Sequence, residues 1–381
     1  MVVELHLLQN FSPSCLNRDD TNAPKDCEFG GVRRARLSSQ CLKRAIRWSP
    51  EFASLPQARV GVRTKRLTEA LCAQLSLRNC ADPPVTDVAA AVLTALVGQL
   101  GSQGRTRALI HLGHDELARV ADLIAGRWDD LVAAAALEAL PALRTAYADS
   151  RRHKSALQKL AAEVAGSFTP GSVAPDIALF GRMVAENANL NVDAACQVAH
   201  ALSTHRVVME LDFFTAADDL RLREQPGAEM MGTVEFSSAC FYRYAVVSLE
   251  QLLRNLGDDA ELTALTVEGF LAASVAAIPS GRQSTMAAHN PPSLVLAVVR
   301  AWGPPWSLAN AFESPVRVVE AERFGGGRPA PHSSLVGQSL TALDRYWGQL
   351  ARMYGEDTVV ARPASWLEDA DVEFLNDQRL P

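Results

Sequence analysis

A long helical block lies between two parts of the chain that have the pattern of β-strands, and this order limits the fold more than any other feature. From about residue 51 to 170 the sequence is rich in alanine and leucine at helical spacing, as in the stripe of Leu67, Leu71 and Leu75. Residues 1–7 alternate like a strand, and residues 234–249 have the same period of two. Strands on both sides of a helical block predict an α+β protein in which one sheet domain carries the helices as an insertion.

Shorter patterns complete the assignment of elements. Residues 176–183 predict a further strand, residues 193–202 a capped helix, and residues 203–235 a long polar and aromatic excursion. Near the end, Leu340, Leu343 and Trp347 recur at helical spacing and predict an amphipathic helix.

The composition is that of an ordinary soluble globular protein. The chain has 381 residues, of which 48% are hydrophobic and 21% charged, so it can bury a sizeable core. Its first seven residues lack a basic region followed by an apolar core, and we expect no secretory signal there. The alanine-rich runs are too short or too interrupted to cross a bilayer. These features predict a cytoplasmic protein with no membrane association.

Cysteine and histidine spacing does not predict a metal or cofactor site. None of the seven cysteines forms a pair spaced two residues apart, and an odd number in a cytosolic chain favours reduced, mostly buried thiols. His111 and His114 are three residues apart, but no third ligand is evident beside them. We therefore expect neither zinc nor another cofactor.

A basic segment stands out in this acidic chain. The net charge is −6, yet six basic and no acidic residues lie between Arg33 and Arg47. An acidic protein has no general electrostatic reason to gather cations, whereas binding of a polyanion requires such a cluster. The segment is the first candidate for a functional site.

The segment also has the features of a phosphate site. Ser38 and Ser39 precede a helical run and predict an N-cap, beside which free N–H groups and the helix dipole favour an anion. Lys43 and Arg47 are four residues apart and project from one side of that helix. Gly30 and its neighbour Gly31 allow a sharp turn before it. A solvated basic helix face that pairs with acids elsewhere in the chain is an equally open interpretation.

Several ordered motifs resemble one family closely over about residues 1–315. They are SPSCLNRDD at 12–20, FGG at 29–31 with the arginine run, LSSQ at 37–40, DIALFGRM at 176–183, FFTAADD at 213–219, GTVEFSS at 232–238, FYRY at 241–244 and SLANAFE at 307–313. Together they resemble the CasC family, the backbone subunit of the type I-E CRISPR surveillance complex Cascade.

The resemblance implies a fold and a function. The fold is a palm built on a modified RRM (ferredoxin-like) sheet from residues 1–50 and 171–381, helical fingers from residues 51–170 and a protruding thumb at about 203–235. Copies of such a subunit polymerise along CRISPR RNA into a helical filament for antiviral defence. They leave most spacer bases free to pair with a target DNA strand and are not catalytic, while other Cascade subunits recognise the protospacer-adjacent motif and recruit the helicase-nuclease. The implied partners are thus CRISPR RNA, target DNA, further copies and other Cascade subunits.

The resemblance also implies particular contacts with the RNA. The residues that match the family motifs at backbone contacts are Arg18, Lys25, Ser38, Gln40, Lys43 and Arg47. Met183 matches a wedge against a displaced base, and Phe213, Phe214 and Thr215 match the thumb near a kinked nucleotide. Without the resemblance, Phe213 and Phe214 would be interpreted as a buried hydrophobic pair. We expect Phe241, Tyr242 and Tyr244 to be core strand residues, because their run alternates like a packed strand.

Two other functions are weighed against this one. A metal-dependent ribonuclease would use Asp19 and Asp20, or Asp218 and Asp219, as carboxylate ligands of two metals. Adjacent aspartates diverge in most backbone conformations, and both pairs lie in loop-like segments beside basic residues, which favours turn-forming and ion-pairing roles. An interaction scaffold without nucleic acid would instead use the basic segment to meet an acidic partner. The Gly325–Gly327 run and the acidic end, with Glu368 to Asp377, match no motif of the family.

Overall fold

The structure, a computed structural model, describes residues 1–55, 60–80, 85–138, 155–168, 173–216, 230–301, 303–317, 334–355 and 359–365. The chain divides into two compact units. The first comprises Met1–Phe52, Cys196–Leu249 and Val267–Pro381, and the second comprises Ala53–Ala195 and Glu250–Thr266. The second unit thus continues past residue 170, where the sequence pattern of the helical insertion ended. The Gly325–Gly327 run, the acidic end and Asp218–Asp219 lie outside the described residues.

The first unit is built on an antiparallel sheet with the strand order β11-β10-β1-β9-β7-β3-β2, in which β6 and β8 also pair with β9. The strands of the described chain are β1 (Val2–Ser14), β2 (Asp26–Phe29), β3 (Val32–Leu37), β4 (Val62–Thr64), β5 (Ile110–Leu112), β6 (Cys196–Val198), β7 (Ala201–Ser203), β8 (Glu210–Ala216), β9 (Met230–Ser248), β10 (Leu294–Arg300) and β11 (Val359–Ser365). The mixed α and β architecture predicted from the sequence is confirmed.

Helices make up much of the rest of the described chain. Those of the described chain are α1 (Ser39–Arg47), α2 (Pro50–Ala53), α3 (Leu67–Ser76), α4 (Val85–Val97), α5 (His114–Ala125), α6 (Trp128–Glu138), α7 (Ala156–Ser167), α8 (Pro175–Phe180), α9 (Leu249–Asn255), α10 (Ala260–Ala276), α11 (Gln283–Met286) and α12 (Leu335–Tyr354). Short 3-10 turns lie at Ser102–Gly104, Ala188–Leu190 and Ala309–Phe312. No helix in this described part is both long and apolar enough to span a membrane.

Both faces of the central strand β1 are covered, so it is buried along most of its length. Leu5 and Leu7 lie beside Leu42 of α1 on one face. On the other face, Leu8 belongs to a cluster with Leu340 of α12. Successive side chains of a strand point to opposite faces, and both faces of β1 are covered. This explains why the polar residues of β1 are buried as well as the apolar ones.

The second unit is mainly helical, as the spacing of its leucines and alanines predicted. Helices α3, α4, α5 and α7 share one apolar core, to which Leu71, Val92, Val120 and Ala161 contribute fully buried side chains. The short hairpin β4–β5 lies in the same unit, with Ile110 and Leu112 buried in this core. Stripes of apolar residues at a period of 3.6 therefore serve packing here.

Two assignments made from the sequence are wrong. Residues 176–183 do not form a strand, since the helix α8 runs over Pro175–Phe180 with proline at its start. A short, largely buried helix presents an apolar run, here at residues 177–180, that periodicity cannot distinguish from a strand, although Pro175 is a helix-start signal. Residues 193–202 do not form a helix. They contain β6 and β7, which pair with β9 because tertiary strand pairing overrides the helical propensity of alanine.

Candidate nucleic-acid interface

Helix α1 begins at the predicted cap and has three distinct faces. The Ser38 hydroxyl accepts a hydrogen bond from the Cys41 backbone N–H at 3.3 Å, so it caps the helix as expected. Leu42 and Ile46 are buried on the core side. The residues predicted to bind RNA from this helix, Gln40, Lys43 and Arg47, are three and four positions apart and share a second, accessible face. Arg44 lies on a third face, and Trp48 follows the helix as its C-cap.

The loop that carries Arg18 and Lys25 is attached to the start of α1 through Asn17. The Asn17 side-chain oxygen accepts from the Ser38 backbone N–H at 2.8 Å. Its backbone carbonyl accepts from the Lys25 N–H, also at 2.8 Å. Arg18 is exposed and donates to the Asn22 side chain at 3.3 Å. These contacts place both basic residues next to the helix start, and the sequence motif gave no separate indication that Asn17 makes the connection.

The arginines of β3 are divided between the core and the surface. Arg34 is fully buried and donates to the Ser203 and Phe312 carbonyls at 3.1 and 2.6 Å, so it serves the fold. Arg33 forms an exposed ion pair with Asp26. Strand geometry explains the alternation, because neighbouring residues point to opposite faces of the sheet.

Arg36, which the motif match did not single out, adds a further cation near this segment and lies beside His200. The Arg36 guanidinium lies 3.2 Å from the His200 imidazole and donates to the Asp26 carbonyl at 3.1 Å. Burial, followed by the nearby Arg36 and Lys25 cations, lowers the pKa of His200. Two cations, Arg36 and Lys25, therefore lie close to this imidazole.

The β2–β3 turn confirms the predicted role of the double glycine. Gly30 and Gly31 both have positive φ, 60° and 71°, as in the tight turns that connect neighbouring strands. A β-carbon on Gly30 would lie only 1.7 Å from the Glu313 carbonyl oxygen, so no other residue fits at this position. The turn packs against the segment that carries the motif at 307–313.

Asp19 organises its own loop. One carboxylate oxygen accepts from the Thr21 hydroxyl at 2.8 Å, the Thr21 N–H at 2.9 Å and the Ala23 N–H at 3.0 Å. These bonds, led by that from the Thr21 hydroxyl, lower the pKa of Asp19. Among the described residues, no group of three or more His, Cys, Asp or Glu side chains could hold a metal ion. Of the two histidines at positions 111 and 114, His111 has its Nε2 atom 2.9 Å from the buried Asp176 carboxylate.

Met183 lies on a loop of the second unit that hydrogen bonds hold in place. Its side chain is 85% exposed. The preceding Arg182 forms a buried ion pair with Glu116 at 2.8 Å and donates to the Leu190 carbonyl at 2.6 Å. Paired backbone hydrogen bonds also join Arg182 to Val192 at 2.9 Å. An exposed apolar side chain on a fixed backbone is suited to insertion between other groups.

The hairpin β8–β9 carries the three predicted thumb residues, and all are accessible. Phe213 is 62% exposed and Phe214 39% exposed, so the interpretation as a buried pair is wrong. Phe214 faces Gly232 across the hairpin, and its ring lies where a β-carbon of that glycine would be. Thr215 is exposed opposite Met231. By contrast, Phe241 and Tyr242 are buried and Tyr244 is half-buried, as expected for core strand residues.

Comparisons with known proteins match almost the whole chain. A chain of a "CRISPR RNA-guided surveillance complex, pre-nicking" aligns with a TM-score of 0.75 and 29% identity, covering 98% of this chain and 94% of that one. A chain of a "CRISPR RNA-guided surveillance complex" aligns with a TM-score of 0.57 and 24% identity, covering 98% and 92%, which shows a shared fold. No curated protein matches. A family model described as "CT1975-like protein" matches residues 3–380. The chain therefore belongs to the CT1975-like protein family, the CasC-like family whose motifs its sequence carries.

Proposed function

We propose that the protein is a non-catalytic backbone subunit of a type I-E Cascade complex, which oligomerises along CRISPR RNA and grips its phosphates. Family membership and the likeness to a chain of a CRISPR RNA-guided surveillance complex support a role as a component of such a complex. Its partners are then CRISPR RNA, further copies of itself, other Cascade subunits and a target DNA strand that pairs with the RNA. Such an assembly works in the cytoplasm.

The arrangement around α1 is the observation that carries this proposal. One face of a capped helix presents Gln40, Lys43 and Arg47, and Asn17 holds Arg18 and Lys25 beside the start of the same helix. Phosphates are contacts that every sequence offers, and gripping them leaves the base edges free for pairing. A grip made of cations and helix N–H groups is therefore appropriate for an RNA whose sequence varies.

The ribonuclease alternative has no comparable support. Its best candidate, Asp19, uses a carboxylate oxygen for three hydrogen bonds within its own loop. A metal ion bound at that oxygen would have to displace them. The structure thus favours the turn-forming role that the sequence already suggested for this aspartate.

Salt dependence of RNA binding tests the proposed phosphate contacts. Replacing Lys25, Lys43 and Arg47 together with alanine should reduce the slope of log K against log salt by about 2, since single-stranded nucleic acid loses about 0.7 per phosphate contact. Fluorescence anisotropy with an unstructured RNA at several salt concentrations measures this slope.

A triple variant with the same loss of charge elsewhere provides the control. Alanine at the exposed residues Arg254, Arg345 and Arg352 should leave the slope near the wild-type value. Equal slopes for both triple variants would show that the cations around α1 hold no phosphates. Absence of RNA binding by the wild-type protein would refute the proposed function altogether.

A further inference from the structure

A groove of about 690 Å³ opens beside the third face of α1. It is lined by the loop at 16–19 with Asn22, by Cys41, Arg44 and Ala45 of α1, by residues 48–51 and by residues 276–281. All of these belong to the first unit. The volume lies within the range of small-molecule sites. The motif match assigned Arg18 to RNA binding, but it assigned no function to Arg44, Trp48 or the groove itself.

Trp48 is a large aromatic surface at the edge of this groove. Its side chain is 67% exposed, although its backbone N–H is bound to the Arg44 carbonyl at 3.2 Å. The Arg47 guanidinium carbon lies 5.8 Å from the indole ring centre, at cation–π distance. The backbone position is fixed by the helix end while most of the ring remains available to a partner.

The groove lining includes cations and amides. Arg18 and Arg44 line the groove together with Asn17 and Asn22. The Nε atom of Arg282, next to the lining residue Gly281, is buried with no hydrogen-bond partner among the described groups.

The lining also includes two carboxylates, those of Asp19 and Glu51. One oxygen of the Asp19 carboxylate accepts three hydrogen bonds from its own loop, and Glu51 is exposed. An aromatic face with cations and amide groups nearby is the combination that binds an unpaired nucleotide, since the base stacks and its phosphate meets the cations.

We propose that this groove binds one unpaired nucleotide of the RNA, with its base stacked on Trp48 and its phosphate facing Arg18 and Arg44. This inference rests on the proposed RNA-binding function and adds a base-stacking site to a surface otherwise argued from phosphate contacts. Arg18 belongs both to the predicted phosphate grip and to the groove lining, so one RNA strand can continue from the second face of α1 into the groove. Stacking tolerates any base, so the site remains compatible with variable RNA.

Matched variants of the full-length protein test the stacking. With an unstructured 30-nucleotide RNA, Trp48→Ala should weaken binding at least about fivefold, which corresponds to the lower end of base–aromatic stacking, whereas Trp48→Phe should retain most of the affinity. The slope of log K against log salt should stay at the wild-type value in both, because stacking releases no counterions. Arg44→Ala should instead reduce the slope by about 0.7. Tyr354→Ala, at another side chain that is 67% exposed, should bind like wild type.

Tryptophan fluorescence provides an independent measurement of the same contact. RNA should quench the wild-type protein, and most of that quenching should disappear in Trp48→Phe. Wild-type affinity in Trp48→Ala, with unchanged quenching in Trp48→Phe, would overturn the inference while leaving the proposed function intact. A Trp48→Ala protein that binds RNA normally but fails to assemble with other subunits would equally overturn it, since the groove would then be a protein interface. If the wild type binds no RNA, the proposed function itself fails.

Discussion

At the scale of single residues, burial rather than charge decides what each arginine of the basic segment does. The Arg34 guanidinium donates to the Phe29 and Ser203 carbonyls at 3.1 Å each, to Phe312 at 2.6 Å and to Glu313 at 3.3 Å. Burial lowers the pKa of Arg34, and these carbonyl oxygens replace water around the cation. The side chain joins β3 to β7 and to the segment near residue 312.

Arg34→Ala should therefore destabilise the protein while Arg33→Ala should not. Loss of Arg34 leaves several buried carbonyls without a donor, at about 1–3 kcal/mol each, so the free energy of unfolding should fall by at least about 3 kcal/mol. Arg33 forms an exposed pair with Asp26, and its loss should cost less than about 1 kcal/mol. Urea unfolding of both variants measures the difference, and similar losses would contradict the buried role of Arg34.

His6 is a titratable residue whose position also depends on burial. It is fully buried, and its Nδ1 atom lies 2.8 Å from the Tyr242 hydroxyl, which accepts from the Leu308 N–H at 2.9 Å. Burial first, and the nearby Arg300 cation second, lower the pKa of His6 to about 3. The imidazole is therefore neutral in the folded protein at any physiological pH.

Stability should consequently decrease as the pH falls from about 6.5 toward 3. In that range the unfolded chain protonates His6 and the folded chain does not, so acid favours unfolding. The contribution of this residue between pH 7 and 5 is roughly 2 kcal/mol. His6→Gln should reduce the pH dependence of the unfolding free energy, although His200 and His205, whose pKa burial also lowers, retain part of it. An unchanged pH dependence in the variant would show that His6 does not contribute.

At the scale of elements, the hairpin β8–β9 has two faces with different surroundings. Directly opposed residues share a face, so Phe213 lies with Thr233, next to Leu211 and Met231, which are 69% and 67% exposed. Phe214 lies on the other face over Gly232. The first face is an exposed apolar strip, whereas the second ring is partly used to pack the hairpin.

We expect the exposed apolar strip to contact a neighbouring copy on the RNA. Phe213→Ala should therefore reduce cooperativity between copies and leave the binding of a single copy unchanged. Binding isotherms on RNAs that hold one copy and several copies separate the two quantities. Phe214→Ala serves as the comparison, because it removes a ring that packs within the hairpin and should loosen the element itself. Unaltered cooperativity in Phe213→Ala would contradict a thumb role for this residue.

At the scale of the whole molecule, the proposal requires repeated identical binding along one strand. A subunit that grips phosphates and contacts its own copies should bind RNA in steps, with an affinity per copy that increases with RNA length. Each step should be sensitive to salt and tolerant of base sequence.

A length series of single-stranded RNAs, followed by mass measurement of the complexes, tests this behaviour at two salt concentrations. The mass should increase by whole copies as the RNA lengthens. Affinity that does not change with length would contradict filament growth, even if a single copy binds RNA.

The sequence by itself determined the features that depend on neighbouring residues. The Ser38 cap, the Gly30–Gly31 turn and the apolar stripes of the helical unit are local, because capping, positive φ and periodicity involve residues only a few positions apart. The candidate site was also predicted from the sequence, through the ordered family motifs. It includes Gln40, Lys43 and Arg47, whose spacing places them on one helix face.

Only the tertiary structure decided which residues of those patterns are buried or paired with distant parts of the chain. Six cations between residues 33 and 47 look alike in sequence, yet Arg34 enters the core because carbonyls about 170 and 280 residues away meet it there. Residues 193–202 contain strands because they pair with β9, whereas most of residues 176–183 belong to a buried helix. The groove beside Trp48 exists because residues 276–281 close on the loop at 16–22. Burial and strand pairing are set by the whole fold, so no local pattern contains them.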